Sequence, residues 1–284
     1  MPFKENLKEK LKDKLTDEEL NLLPRGFQTL GNVIILKLNR KLISKSKLIG
    51  QACLEILPGV KAVYLNRGKI SGTFREPEGI EFIAGEDNPI VIHTEHGIKY
   101  KFDITKIMFS KGNINERKYL ASLVKEGEIV VDMFAGIGYF SLPIAKLSKA
   151  EKIYSIELNP VAYNFFLENI KINKLEGKIV PILGDSNKEV LKLSESGIKA
   201  DRVIMGVFPA PKDFIENALT LTSDNGTIFH YEGVRSKENY LELYSDFQEI
   251  ASKKGYKCEL LTYRFVKSYG PNLFHIVLDI LVNK

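Results

Sequence analysis

Tryptophan is absent from this chain of 284 residues, and only two cysteines and four histidines are present. Cys53 and Cys258 lie far apart in apolar surroundings, and no histidines fall at helical metal-ligand spacing. Neither a structural nor a catalytic metal is therefore expected. No apolar run approaches the ~20 residues of a membrane-spanning helix. Residues 1–20 alternate Lys and Glu with leucines and lack the apolar core of a secretion signal. A cytoplasmic chain is expected on that ground, and with it no disulfide. Internal repeats and low-complexity segments are missing too. Neither sign of charge dominates, with 41 Lys and Arg against 36 Asp and Glu, a net charge of +5.

Hydrophobic residues make up 44% of the chain, enough for one large domain or two unequal ones. The modest positive excess is concentrated in the first third, at Lys37, Arg40, Lys41, Lys45, Lys47, Lys61, Arg67, Lys69 and Arg75. Such a density suits a phosphate backbone, and equally a solvated lysine-rich surface.

The periodicity changes along the chain. A charged amphipathic helix is predicted over 3–20, a strand over 33–38, a helix over 41–57 closed by Pro58 and Gly59, and strands near 62–65, 79–84, 90–94 and 98–102. This reads as a small α+β unit rather than a βαβ series. From about residue 106, apolar runs at 128–134, 152–158, 178–184 and 201–207 alternate with helical stretches at 139–148, 160–173, 187–196 and 211–222. A further run at 227–231 precedes a helix over 236–254, and two last strands over 258–267 and 273–282 are joined by a short connection. The fold class expected is α/β: a doubly wound parallel Rossmann sheet of the class I methyltransferase type with an antiparallel C-terminal hairpin. Two domains are expected, 1–105 as an N-terminal helix and small RNA-contacting unit, and 106–284 as the catalytic unit.

The most informative stretch begins at Val130 and runs through Asp132, Phe134, Gly136 and Gly138. An apolar strand ends in a carboxylate, glycines at i and i+2 allow a tight turn, and an amphipathic helix follows. A third glycine of the dinucleotide fingerprint is missing, because Ser141 follows Phe140. Glu157, at the end of the next apolar run, lies roughly 20 residues on, where a carboxylate takes the two ribose hydroxyls of an adenosine. Without a pyrophosphate cradle, S-adenosylmethionine fits better than a dinucleotide. Asp185 follows the third strand and suits the adenine amino group, with Ser186 offering a neighbouring backbone N–H; both also suit a helix N-cap. Asp132 serves either the turn backbone or a positive ligand group.

Ahead of the first strand of the second unit, Ser110, Glu116 and Arg117 place a hydroxyl, a carboxylate and a guanidinium close in sequence. The planar fork of Arg117 suits the carboxylate of a methionine moiety. Glu116 is either a general base or a helix-surface charge. Arg75 either reaches an acceptor nucleotide or forms a surface ion pair. After the fourth strand, Gly206, Val207, Phe208 and Pro209 stand where amino-group methyltransferases often carry Asn or Asp followed by prolines; Phe208 stacks on a base or merely packs.

Phe74 with Arg75, Phe109 with Ser110, Glu116 with Arg117, the 131–138 turn, Glu157 to Pro160, and the C-terminal Val266 to Asp279 together resemble the archaeal and eukaryotic tRNA enzymes that modify the guanosine 3′ to the anticodon. Two sister families share these pieces, the guanosine N1-methyltransferases and the wybutosine-pathway aminocarboxypropyltransferases. The methyltransferases carry Asn-Leu-Pro where Gly206-Val207-Phe208 stands, Pro-Arg where Lys111-Gly112 follows Ser110, and an extra N-terminal domain where about 25 residues are available here. The resemblance thus implies an aminocarboxypropyltransferase acting on a tricyclic guanosine in the anticodon stem-loop of phenylalanine tRNA, with S-adenosylmethionine as co-substrate, no metal and a monomeric state. It implies catalytic roles for Arg117, Glu116 and Arg75. The N1-methyltransferase is the nearest alternative, and a non-catalytic RNA-binding protein is the alternative from another class.

Overall fold

The computed structural model describes residues 2–68, 70–71 and 76–284. The chain forms two compact units, Met1–Phe109 and Ser110–Lys284.

In the first unit, α1 (Phe3–Leu11) and α2 (Asp17–Asn21) replace the single helix predicted over 3–20. Thr16 causes the break. Its hydroxyl accepts the Glu19 N–H, and the Glu19 carboxylate accepts the Thr16 N–H, so a capping box starts a new helix there. The strands are β1 (Gln28–Leu30), β2 (Val33–Leu36), β3 (Ala62–Asn66), β4 (Ile70–Ser71), β5 (Glu76–Pro77), β6 (Ile80–Gly85), β7 (Ile90–Glu95) and β8 (Ile98–Asp103). Four of them form a sheet in the order β1-β2-β3-β6, with β7 and β8 a separate hairpin and β4 and β5 a short pair. β2 and β3 pair in parallel across α3 (Ser46–Ile56), so one βαβ crossover is present where the sequence suggested none. Leu7, Leu11, Ile34, Leu36, Ile49, Cys53 and Val63 build the core between α1, α3 and the sheet. Burial pushes the Cys53 thiol up to about 12.

The second unit's first α-helix is α4 (Ile114–Leu123), and strands and helices alternate from there up to a closing pair of strands. Its elements are β9 (Ile129–Asp132), α5 (Ser141–Leu147), β10 (Lys152–Glu157), α6 (Pro160–Asn173), β11 (Ile179–Leu183), α7 (Ser186–Glu195), β12 (Arg202–Met205), α8 (Ile215–Ala218), β13 (Thr227–Arg235), α9 (Leu241–Lys253), β14 (Lys257–Gly270) and β15 (Leu273–Asn283). The seven strands lie in the order β11-β10-β9-β12-β13-β15-β14, the last two running antiparallel. This is the doubly wound methyltransferase-type sheet expected from the sequence. Its central strands are largely apolar and buried because helices cover both faces: β12 is buried at all four positions, its one charged residue, Arg202, being paired with Glu128 at 3.1 Å. Phe229 and Tyr231 of β13 pack on Phe247 of α9, at 5.4 Å between ring centroids in each pair.

Register decides what lies at the rim. β9 pairs Asp132 with Ser155 of β10 and with Ile204 of β12, and β12 pairs Met205 with Tyr231 of β13. Glu157 and Asp132 therefore end β10 and β9, Gly206 follows β12, and Glu232 follows Tyr231, the β13 partner of Met205, so the four fall along the edge at which open α/β sheets take ligands. Among the described residues no helix is long and apolar enough to cross a membrane.

Candidate active site

The turn after β9 is built by its two glycines. Gly136 and Gly138 sit at φ 58° and 97°, in the region that L side chains rarely adopt. Glu157 ties this turn to the end of β10. One carboxylate oxygen accepts the Gly136 N–H at 2.6 Å and the other the Asn159 N–H at 2.7 Å. Burial raises its carboxyl above the ordinary value, against the pull of the backbone N–H groups of Asn159, Gly136 and Leu158. Half-buried, Glu157 keeps lone pairs beyond those two bonds, as a ribose diol requires.

Asp132 is placed differently. It is only 1% exposed, one oxygen accepts the Phe134 N–H at 3.3 Å, and the other accepts the Ser141 hydroxyl at 2.6 Å. Ser155 joins through a 2.8 Å bond to Ser141. Of its two sequence-level roles, the geometry realises service to the turn backbone. Burial pushes its carboxyl up to about 6. Asp185 caps α7 by accepting the Asn187 N–H at 2.9 Å, and the buried Ser186 hydroxyl donates to the Met133 carbonyl. Phe134 meets Phe214 edge-on at 4.9 Å, an aromatic wall beside the turn.

Ser110 and Arg117 are brought together. Arg117, 3% exposed, donates through Nη2 to the Ser110 carbonyl at 2.8 Å and lies 5.1 Å from the Tyr139 ring centroid. Lys267 of β14, which belongs to the C-terminal stretch carrying the resemblance but has no role assigned from the sequence, joins them by donating from Nζ to the Ser110 hydroxyl at 2.6 Å. It passes Gly112 so closely that a Cβ there would lie 2.8 Å from its Cδ. Glycine at 112 leaves room for that stem, which a side chain there would push aside.

Glu116, 4% exposed, belongs to a buried charge cluster. Arg264 of β14 donates to both of its oxygens, at 2.7 to 3.0 Å, and to Asp279 of β15 at 2.8 Å. His230 of β13 lies between the two carboxylates, 3.1 Å from Glu116 and 2.5 Å from Asp279. Burial alone would raise the Glu116 carboxyl, but His230 and Arg264 outweigh it and bring it down to about 2. A carboxylate so held is a poor proton acceptor near neutrality. Burial likewise opposes a charge on His230, yet Asp279 and Glu116 raise its pKa overall; burial would raise the Asp279 carboxyl too, but His230 and Arg264 hold it below its ordinary value. Single-sequence reading could not foresee this quartet, because its members come from α4, β13, β14 and β15.

The quartet sets a pH dependence. A histidine whose folded pKa is raised adds stability that is complete below its unfolded value near 6.5 and lost as pH rises through the folded one. Glu116 and Asp279, both lowered, add stability above their unfolded values of 4.5 and 3.8 and lose it as pH falls through the folded ones. Asp132, with a raised carboxyl, works against stability above about 6. Thermal unfolding is thus expected to show declining stability on the alkaline side, with a shallower decline in H230Q. Parallel slopes for the two proteins above pH 7 would count against it.

In the first unit Arg67 pairs with Glu81 at 2.9 Å, Lys41 with Glu18 at 2.6 Å and Lys61 with Glu86 at 3.8 Å, all on exposed side chains. Part of the basic crowding is thereby neutralised locally. Phe74, Arg75 and Lys69 lie outside the described residues.

A family model described as the TRM5/TYW2 methyltransferase domain matches residues 91–261, and one described as the TYW2 N-terminal domain matches residues 7–88. A tRNA (guanine(37)-N(1))-methyltransferase, Trm5b, of Pyrococcus abyssi is 38% identical over 92% of this chain and 76% of its own length. A tRNA(Phe) (4-demethylwyosine(37)-C(7)) aminocarboxypropyltransferase of Pyrococcus horikoshii is also 38% identical, over 99% of this chain and 98% of its own. The crystal structure of P. horikoshii TYW2 in complex with MeSAdo superposes with a TM-score of 0.84 at 35% identity, covering 99% of this chain and all of that one.

Proposed function

The chain belongs to the TRM5/TYW2 methyltransferase family, and on that premise we propose that it transfers the aminocarboxypropyl group of S-adenosylmethionine to the tricyclic guanosine derivative of tRNA(Phe), releasing methylthioadenosine. The observation that carries this reading is the match of the first unit to the TYW2 N-terminal domain, because the catalytic unit is common to both activities. Gly206 supports it: no side chain stands at the position where N1-methyltransferases carry the Asn of Asn-Leu-Pro.

The residues fit the co-substrate. Glu157 would take the ribose hydroxyls, Asp185 the adenine amino group and the Ser186 N–H a ring nitrogen, while the Gly136–Gly138 turn and Phe134 line the adenosine. Arg117 and Ser110, now with Lys267, would clamp the methionine carboxylate. All three carbons on a sulfonium are activated, so this clamp would choose the γ-carbon over the methyl group by position. Alignment of the two reacting carbons would supply most of the acceleration. The first unit would hold the anticodon stem-loop through Arg67 and Arg75. We place the reaction in the cytoplasm, carried out by a monomer without a metal.

The test uses S-adenosylmethionine labelled separately in its methyl and carboxyl groups, with unmodified tRNA(Phe) and with tRNA carrying the tricyclic precursor. Carboxyl label entering only the precursor is expected, with methylthioadenosine released. Methyl label entering unmodified tRNA would overturn the reading in favour of the N1-methyltransferase. For the RNA surface, replacing Arg67 and Arg75 by alanine is expected to weaken tRNA binding and flatten its dependence on salt. An unchanged salt slope would move the surface elsewhere.

A further inference from the structure

A second buried pair at the same rim is used by none of the roles above. Glu232, near the carboxyl end of β13, is 1% exposed, and His275 of β15 is 0% exposed. His275 Nε2 lies 2.9 Å from Glu232 Oε2. Among the described residues, Glu232 Oε1 and His275 Nδ1 have no hydrogen-bond partner. Leaving such atoms bare in a folded interior costs on the order of 1–3 kcal/mol each, so they point to a group that arrives from outside.

Their surroundings say which group. A Cβ built on Gly206 would lie 3.4 Å from Glu232 Cδ, 3.5 Å from Oε1 and 3.3 Å from the Phe140 ring. Gly206, bearing only hydrogen, therefore leaves the space beside the free oxygen that a side chain would take. Phe208, two residues on, stands edge-on to His275 at 4.7 Å. Gly206 thus separates the Phe140 ring from the free carboxylate oxygen, and Phe208 packs on the histidine that holds the other oxygen, so aromatic rings suited to a flat base stand on either side of the pair. The glycine turn is close enough for the charge of Glu232 to act on Asp132. The contrast with Glu116 is one of engagement: Arg264 occupies both oxygens of Glu116, whereas only one oxygen of Glu232 is taken.

We propose that Glu232 is the proton acceptor of the transfer reaction, with His275 as its positioning residue. The proposal rests on the reading above, in which the acceptor is a ring carbon. As the π electrons of that carbon form the new bond to the γ-carbon, the S–Cγ pair leaves with sulfur as methylthioadenosine. The ring carbon then still bears its hydrogen. That proton passes to Glu232 Oε1, and its bonding pair restores the aromatic ring. His275, donating from Nε2 to Oε2, orients the carboxylate so that Oε1 faces Gly206.

The experiment is single-turnover transfer with precursor tRNA bearing hydrogen or deuterium at the acceptor carbon. E232Q keeps the size of the side chain and is expected to slow transfer by about 10²- to 10⁴-fold. Its affinity for S-adenosylmethionine should be unchanged by calorimetry, and its deuterium isotope effect should exceed that of the wild type. H275F should lose activity, and H275Q, which retains a donor, should regain part of it. Transfer by E232Q at the wild-type rate overturns the proposal. So does a loss explained wholly by weakened cofactor affinity, or one with an unaltered isotope effect. Failure of the underlying function is read separately, on the wild type, from which label enters. If the methyl label enters, the same variants are scored on methyl transfer, which also sheds a proton from the acceptor.

Discussion

Replacing Arg264 by alanine is expected to destabilise the catalytic unit by about 3–5 kcal/mol, because it strands two buried carboxylates. The guanidinium serves Glu116 and Asp279 at once and stacks 4.7 Å from the Tyr119 ring centroid. Once it is gone, His230 alone faces both anions, and only one charge can balance two. Urea unfolding followed by far-UV circular dichroism measures the loss. Combining R264A with E116Q should cost less than the two single changes added together, since the second change removes one stranded charge. A loss below about 1 kcal/mol for R264A would mean that the cluster is hydrated and behaves like a surface pair. The energetic asymmetry is a property of burial: replacing an entire buried ion cluster is often tolerated, whereas removing one member is not.

The second large effect is expected at Gly138, where alanine meets two separate obstacles. At φ 97° a Cβ is strained, at about 1–3 kcal/mol. It would also lie 2.6 Å from Leu142 Cγ and 2.8 Å from the Phe166 ring, overpacking that costs about 1–3 kcal/mol more. G138A should therefore lose roughly 2–6 kcal/mol in the same unfolding assay. The turn that Glu157 holds through Gly136 would be displaced with it, so S-adenosylmethionine affinity should fall as well. Gly127, at φ 82° but with nothing within 4 Å of its Cβ, is the control: its alanine variant meets the strain alone and should lose less. Equal losses at the two positions would rule out the packing argument.

The order of elements in the second unit was legible from the chain because apolar runs of strand length alternate with helical stretches, and α6 runs over 160–173 as predicted. The helix predicted over 211–222 breaks up: α8 keeps only Ile215–Ala218, between single 3₁₀ turns at Lys212–Phe214 and Leu219–Leu221. Pro209 and Pro211 constrain its start, and periodicity does not separate a 3₁₀ turn from an α-turn over three residues. In the first unit the Thr16–Glu19 capping box was visible in the sequence, but the continuing pattern of leucines masked it.

By itself the sequence determined the fold class, the glycine turn with Glu157 one strand later, and the family resemblance. These depend on local periodicity and on motifs contained in one or two neighbouring elements. Only the tertiary structure decided what each charged group does. Glu116 is a member of a quartet because β13, β14 and β15 bring His230, Arg264 and Asp279 to α4. Glu232 keeps a bare oxygen beside the residue that follows β12, Gly206, which has no side chain to engage it. The physical reason is the range of the interactions. Turn geometry is settled within a few residues, whereas the protonation and engagement of a carboxylate follow from burial and from partners more than a hundred positions away.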